Sequence, residues 1–408
     1  MLLVKYLAKP LLPLLLLLLC LPAVATAVDT AGNAPIGVSR EMGSEITGIK
    51  AGPFLLHPYL NLRETYSDNI YLTTDNRKGD FITTIMPGIQ VELPFKRNLL
   101  SFGGSAIINE YAKYSSENTI DWNANTSLDL NLGSRFKLKL SDNFLDSHEP
   151  RSESSTITIE KYKNNSALAS LTYMLADVSK IQLDYTNAYW KYKTSDFRSR
   201  DENQGSFYLY YRILQKTSIF GEYDFKQVSF TNNTQGLDNN VQTAQVGLTW
   251  ELSSRSKGTV KAGYLLKSFD QQLSSNINTF IASIDGTHYF SDNNWVKLTG
   301  ARTVNESSFM NAPYSITTGI YGEFTHRFLE RLSSTLKFSY GNERYSNIVP
   351  GELVLRVDKV VQAGAAIQYA FRRWLDCTLE YYWRNKDSTI SIYNSSENNV
   401  SLGLTFHF

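Results

Sequence analysis

The chain has 408 residues, with 40 Lys and Arg against 39 Asp and Glu. A balance this close to neutral excludes the basic excess that a nucleic-acid partner needs, and none is expected. The two cysteines, Cys20 and Cys377, are a pair only until a leader carrying Cys20 is removed, so no intrachain disulfide is expected either.

The N-terminus reads as a secretory signal peptide over residues 1–27. Lys5 and Lys9 give a positive start, Leu11 to Leu19 is apolar apart from Pro13, and Ala23-Val24-Ala25-Thr26-Ala27 supplies small residues for cleavage after Ala27. The apolar stretch is short for a membrane-spanning helix, and no later segment approaches eighteen consecutive apolar residues. Lipoprotein processing at Cys20 needs a small residue just before it, where Leu19 stands. Residues 28–52 carry Gly, Ser, Thr and mixed charge without strand periodicity, the composition of a flexible periplasmic lead-in, with a small plug tucked into the lumen as the alternative.

From residue 53 to 408 the dominant period is two. Leu100, Phe102, Gly104, Ala106 and Ile108 share one face of the first clear case. Trp122 to Leu132 follows, its Ala, Thr and Leu facing away from Asn123, Asn125, Ser127, Asp129 and Asn131. Phe136 to Leu140, Ile181 to Tyr185, Ile219 to Phe225 and Leu375 to Tyr381 alternate as cleanly. A helix would put charge on every side of these segments. The final strand alternates to the last residue, with Val400, Leu402, Leu404, Phe406 and Phe408 on one face. A free apolar strand of this kind is an aggregation hazard, but it closes a barrel well by pairing with the first strand. Outer-membrane barrels of Gram-negative bacteria typically end so, and Phe406 and Phe408 are expected to be read by the barrel assembly machinery.

About eighteen such strands can be counted, and their connections alternate in length. Pro94 to Asn98, Gly133 to Arg135 and Phe371 to Arg373 are short, whereas Ser67 to Asp80, Lys191 to Glu202 and Ser346 to Arg356 are longer and polar. Short periplasmic turns and long extracellular loops are the signature of an all-β, antiparallel, up-and-down transmembrane β-barrel. Both termini are then periplasmic. Trp250, Trp295 and Trp374 sit beside short turns and Trp122, Trp190 and Trp383 beside long loops, so all six are expected at the membrane interfaces.

No cofactor, metal site or enzyme is expected. The histidines His57, His148, His288, His326 and His407 are not at metal-ligand spacing, and no nucleophile-elbow or phosphate-loop motif occurs. Alternation instead points a set of polar residues inward as pore-lining candidates: Glu92, Lys137, Lys139, Asp184, Arg212, Glu222, Asp224, Lys261, Asp285, Glu323, Lys337, Glu380 and Arg384, with Tyr208, Tyr210 and Tyr321. On the lipid face each charge would cost up to about 2–4 kcal/mol at mid-membrane depth. Facing the lumen they are solvated; hydration and cross-strand pairing account for most of them, and tuning of passage for the rest. Inward tyrosines also offer faces on which sugar rings stack. Cys377 shares the outward face with Leu375, Leu379 and Tyr381, as a small apolar residue.

The opening of the barrel, Leu56-His57-Pro58-Tyr59 followed by Tyr66-Ser67-Asp68-Asn69-Ile70-Tyr71 and Met86-Pro87-Gly88, resembles the outer-membrane β-barrel porin family associated with exopolysaccharide export and biosynthesis systems. That resemblance implies an outer-membrane channel assisting export of an exopolysaccharide together with periplasmic polysaccharide-export proteins. The alternatives are a diffusion porin for small solutes and, behind it, a structural barrel or an outer-membrane hydrolase. Composition and spacing alone show only a barrel, for which outer-membrane lipid is the expected surrounding.

Overall fold

The computed structural model describes residues 48–149, 159–233, 236–253, 255–270, 276–309, 312–348 and 351–408. The expected signal peptide, residues 1–27, and most of the expected lead-in lie outside the described residues.

The first strands are β1 (Ile49–Ala51), β2 (Phe54–Ser67), β3 (Asp80–Phe95), β4 (Asn98–Tyr111), β5 (Thr119–Leu132), β6 (Phe136–His148) and β7 (Lys161–Ala176). They continue as β8 (Ser179–Tyr192), β9 (Arg200–Leu214), β10 (Thr217–Phe230), β11 (Asn239–Ser253), β12 (Ser256–Phe269) and β13 (Ile277–Ser291). The last are β14 (Asn294–Phe309), β15 (Ala312–Leu329), β16 (Leu332–Tyr345), β17 (Val357–Arg372), β18 (Leu375–Ser388) and β19 (Ser395–His407). Helix among the described residues is limited to three short 3-10 turns.

Each long strand pairs antiparallel with its sequence neighbours, and β19 pairs with β2 from Asn399↔Ser67 to His407↔Tyr59. The eighteen long strands therefore close into one barrel, and the final strand is the closing one. The lead-in is corrected at its end. Ile49–Ala51 turns back on Phe54–Leu56 as a small hairpin, because Gly52 adopts φ +63 and allows the reversal.

Alternation in the sequence becomes two faces in space. Leu183, Leu209, Val246, Tyr264, Leu336, Phe338, Leu379 and Leu402 are all exposed on the outside. An apolar exterior this continuous belongs to a barrel whose surrounding solvent is hydrocarbon. Aromatic side chains bound it at both ends. Phe136 stacks on Tyr173 and Trp374 on Phe406 beside the short turns, while Tyr66 meets Phe81 and Tyr264 meets Phe280 toward the long loops. Trp374 and Trp383 are nine residues apart, about 30 Å along the chain and roughly 23 Å along the axis at a ~40° tilt. That matches the ~25 Å apolar band of outer-membrane barrels.

One connection breaks the alternation of lengths. At the long-loop end, β14 and β15 are joined through residues 310–311 alone. This hairpin does not stand up from the rim; it bends into the barrel.

Candidate functional site, the lumen and its mouth

Partner by partner, the strand register places every polar candidate on the face opposite the exposed apolar residues. Glu222 and Asp224 alternate with the exposed Tyr223 and Phe225, for example, and Glu380 with Leu379 and Tyr381. Some candidates come together. Glu222 takes two hydrogen bonds from Lys261 Nζ, at 2.7 and 2.8 Å. Lys337 Nζ donates to Glu380 at 2.7 Å, with Arg63 on the same carboxylate at 3.7 Å. Tyr321 donates its hydroxyl proton to Glu323 at 2.7 Å, and Thr299 donates to Asp285 at 3.0 Å. Tyr208, Tyr210 and Phe220 form a row of rings with centroids 6.1 and 5.1 Å apart, and Lys180 lies 4.1 Å over Tyr210. Lys139 stands opposite Asp129 and Lys137 opposite Asn131 in register. Asp184 accepts from Gln182 at 2.9 Å, and Glu92 lies 3.9 Å from His57. Arg212 and Arg384 share the inner face, with Arg384 opposite Glu397 in register.

Two of the six tryptophans are not where turn proximity suggested. Trp190 lies on the inner face, stacked with Tyr192, tilted against Tyr162 and covered by the Arg200 guanidinium at 5.1 Å. Trp295 is buried inside, against Tyr289 and the Arg327 guanidinium. Nearness to a strand end sets depth but not side; parity sets side, and both positions have inward parity. Trp122, Trp250, Trp374 and Trp383 lie on the outward side. Phe406 is outward too, and the Phe408 backbone N–H donates to Pro58 O at 3.0 Å, tying the terminus to the first barrel strand.

An inward-leaning hairpin at the mouth was missed in sequence. Pairing of β14 with β13 stops at Ala282↔Arg302, whereas pairing with β15 continues to Asn305↔Ser315 and Glu306↔Tyr314. Past Arg302 the hairpin leans inward. Val304 packs on Val241, Leu265 and Ile281, which are inner-face residues of β11, β12 and β13. Glu306 pairs with Lys267, itself 1% exposed. Tyr314 stacks on Phe269. The tip then packs, through Phe309 and Ala312, on Tyr345 at the end of the neighbouring β16 and on Tyr393 of the last long loop. The hairpin is thus a strap leaning in at the mouth, held on the β11–β13 side and at its tip.

Each anchor is an ionic cluster. On one side Glu202 joins Arg200 at 2.7 Å and Lys226 at 3.1 Å, beside the Lys267–Glu306 pair. On the other, Arg356 is 1% exposed, donates to Asp358 at 2.6 Å, and lies 3.7, 4.8 and 4.9 Å from the rings of Tyr393, Tyr345 and Phe309. Lys386 holds the same Asp358 at 2.9 Å. Burial opposes the Arg356 charge, but Asp358 and the flanking tyrosines outweigh it and hold its pKa above the usual arginine value. A faint sequence signal for these residues did exist. Arg200/Glu202, Asp224/Lys226 and Arg356/Asp358 continue the inward period of two at the loop ends.

Outside the strap, long loops are stitched to one another. Asp80 is fully buried and accepts the backbone N–H groups of Lys113 and Tyr114 at 3.0 Å each. Glu160 accepts from the Thr194 N–H at 2.9 Å and the Ser195 hydroxyl at 2.8 Å, and Arg198 grips Glu149 at 2.6 Å. The residues that carried the family resemblance serve the barrel closure. Asn69 is fully buried and its Nδ2 donates to Thr73 O at 2.8 Å and to Ser396 O at 2.9 Å; Asp68 accepts from the Asn398 N–H and side-chain amide, both at 2.8 Å. Tyr59 lies over Gly88, where an added Cβ would stand 2.2 Å from the ring. The motif therefore clasps the first loop to the last strand.

Among solved structures, the chain is similar to OccK2 (OpdF) of Pseudomonas aeruginosa at 8% identity and a TM-score of 0.49, over 86% of this chain and 98% of that one. It is similar to the outer membrane protein opdK of Pseudomonas aeruginosa at 8% identity and TM-score 0.47, over 86% and 99%. For OccAB4 of Acinetobacter baumannii the values are 13% and 0.46, over 86% and 98%. Among curated proteins none matches the chain. One family model does match, over residues 44–408, and by that match the chain belongs to the family described as "Putative beta-barrel porin 2".

Proposed function

We propose that the protein is an outer-membrane channel that admits small polar solutes by diffusion. The observation that carries this reading is the strap. A barrel of eighteen strands is wide enough for an aqueous lumen; the β14–β15 hairpin, anchored at Lys267–Glu306 and at Arg356, narrows its mouth. The paired charges of the inner wall, such as Glu222–Lys261 and Lys337–Glu380, keep the lumen hydrated without a field of one sign. In this reading the chain is exported by its leader, cleaved after Ala27, and inserted by the barrel assembly machinery. The short turns face the periplasm and the long loops the outside. It acts as a conduit and not as a catalyst.

Export of an exopolysaccharide with periplasmic partners is the second reading. The row Tyr208, Tyr210 and Phe220 favours it, because aromatic faces in line can stack sugar rings. A strap held on the β11–β13 side and at its tip opposes passage of a bulky polymer.

Deletion of the gene, assayed in parallel for small-solute uptake and for surface polysaccharide, separates the two. Slowed uptake with normal polysaccharide is expected. Loss of polysaccharide with unchanged uptake would sink the diffusion reading and promote export.

A further inference from the structure

On much of the inner wall a cation has a carboxylate against it. Lys261 has Glu222, Lys337 has Glu380, Lys226 has Glu202 and Lys386 has Asp358. The wall from β6 to β9, next to the short turns, departs from this. Lys137 and Lys139 of β6, Lys180 of β8 and Arg212 of β9 face the lumen there, each within four residues of the short-turn end of its strand. Asp129 stands opposite Lys139 in register, and Asp184 accepts from Gln182 Nε2 at 2.9 Å. Yet no carboxylate is bonded to any of the four cationic side chains among the described residues. Like charges gathered on one wall repel, and an anion entering the lumen relieves them.

The same wall carries rings. Tyr210 stands opposite Lys180 and Tyr208 opposite Gln182 in register. The two tyrosine rings are stacked with centroids 6.1 Å apart, and both residues are half-buried, so each keeps surface toward the lumen. The Lys180 ammonium lies 4.1 Å over the Tyr210 ring. A carboxylate drawn to Lys180 therefore stands at the edge of the tyrosine pair. Between the β6 lysines and β8, Ser170 and Thr172 add hydroxyls to the same face: Lys137 is in register with Thr172 and Lys139 with Ser170.

We propose that this wall is a binding site for small acidic sugars of the hexuronate class, on the short-turn side of the lumen. The inference rests on the diffusion reading above and names the solute it favours. The carboxylate pairs with Lys180, with Arg212 and Lys137 in support, and the sugar ring packs on Tyr208 and Tyr210. A charge-assisted bond and an aromatic surface then act on one molecule. A neutral sugar has only the aromatic surface, and a simple carboxylate only the charge.

The test is single-channel recording of the full chain in planar bilayers, with block of the ionic current titrated by glucuronate, glucose and acetate in turn. Glucuronate is expected to half-block at a concentration about tenfold below either of the others, the scale of one charge-assisted bond. Lys180→Gln should raise the half-blocking concentration of glucuronate by roughly three- to tenfold. Tyr210→Leu, which keeps all four cations, should lower the preference for glucuronate over acetate. Heat-modifiable gel mobility reports folding of each variant, and Arg212→Gln serves if Lys180→Gln does not fold. Absence of discrete conductance from the wild-type protein would remove the diffusion reading and this inference with it. Discrete conductance with glucuronate no better than glucose, glucuronate no better than acetate, or wild-type block in a folded Lys180→Gln or Arg212→Gln channel would overturn this inference alone.

Discussion

Arg356→Ala should unlatch the strap. In the native protein the guanidinium is flanked by Phe309, Tyr345 and Tyr393 at 4.9, 4.8 and 3.7 Å and bonded to Asp358 at 2.6 Å. Removing one partner of a buried ion pair typically costs about 3–5 kcal/mol, because the other charge is left bare. Here Asp358 keeps Lys386 at 2.9 Å, so that part of the loss is reduced. Three ring contacts at roughly 0.5–1 kcal/mol each are lost outright. The sum is about 2–4 kcal/mol against the docked hairpin, which multiplies the undocked population by roughly thirty-fold or more. The assay is single-channel recording in planar bilayers. Open-channel noise should rise and mean conductance should increase. Arg356→Lys should behave similarly, since an ammonium lacks the flat face that fills the space between the rings. A folded Arg356→Ala barrel with wild-type conductance and noise would refute the strap as a structure latched at this point.

Three further outcomes are expected. Leu128→Arg, on the outward face at mid-belt, should destabilise the barrel by about 2–4 kcal/mol in lipid-vesicle unfolding by urea, while Asn131→Arg on the inner face should cost much less; equal losses would contradict the assigned faces. Gly88→Val should destabilise by about 1–3 kcal/mol by overpacking against Tyr59, and Tyr59→Ala should recover most of that loss in the double variant, as a thermal-unfolding cycle would show. Truncation of Phe406 to Phe408 removes the residues that pair with Leu60 and Tyr59, and should lower the amount of heat-modifiable barrel in outer-membrane fractions.

What the sequence disclosed was whatever period two encodes. A strict alternation assigns each residue a face, so the strand count, the closure of β19 on β2 and the inward set Glu222, Lys261, Lys337 and Glu380 all followed from it. It fails where face and depth are confused. Trp190 and Trp295 stand at strand ends, and their inward parity, readable from exposed neighbours such as Tyr189, carries them off the membrane interface. It fails again where the backbone leaves the barrel surface. Arg302, Val304 and Glu306 keep their alternation, but the hairpin bends, so a face that would meet lipid meets the inner wall. Nothing in local pattern distinguishes an upright hairpin from a folded one. The anomalous brevity of the β14–β15 connection, and a Glu on what would be the outer face, were the available hints. The family-like Asn69 and Tyr59 point to barrel closure, a role visible only once residues more than three hundred positions apart are seen bonded.

The most direct test of a channel narrowed by its own hairpin is single-channel conductance with the strap removed. Residues 304–316 would be replaced by a two-residue Asn-Gly turn that continues the β14–β15 ladder from Thr303 to Thr317, a pair already in register. The wild-type protein should give discrete ionic steps, and the strapless barrel should give steps several times larger and pass oligosaccharides that the native mouth excludes. Identical conductance in the two folded proteins, or no conductance from either, would contradict the account.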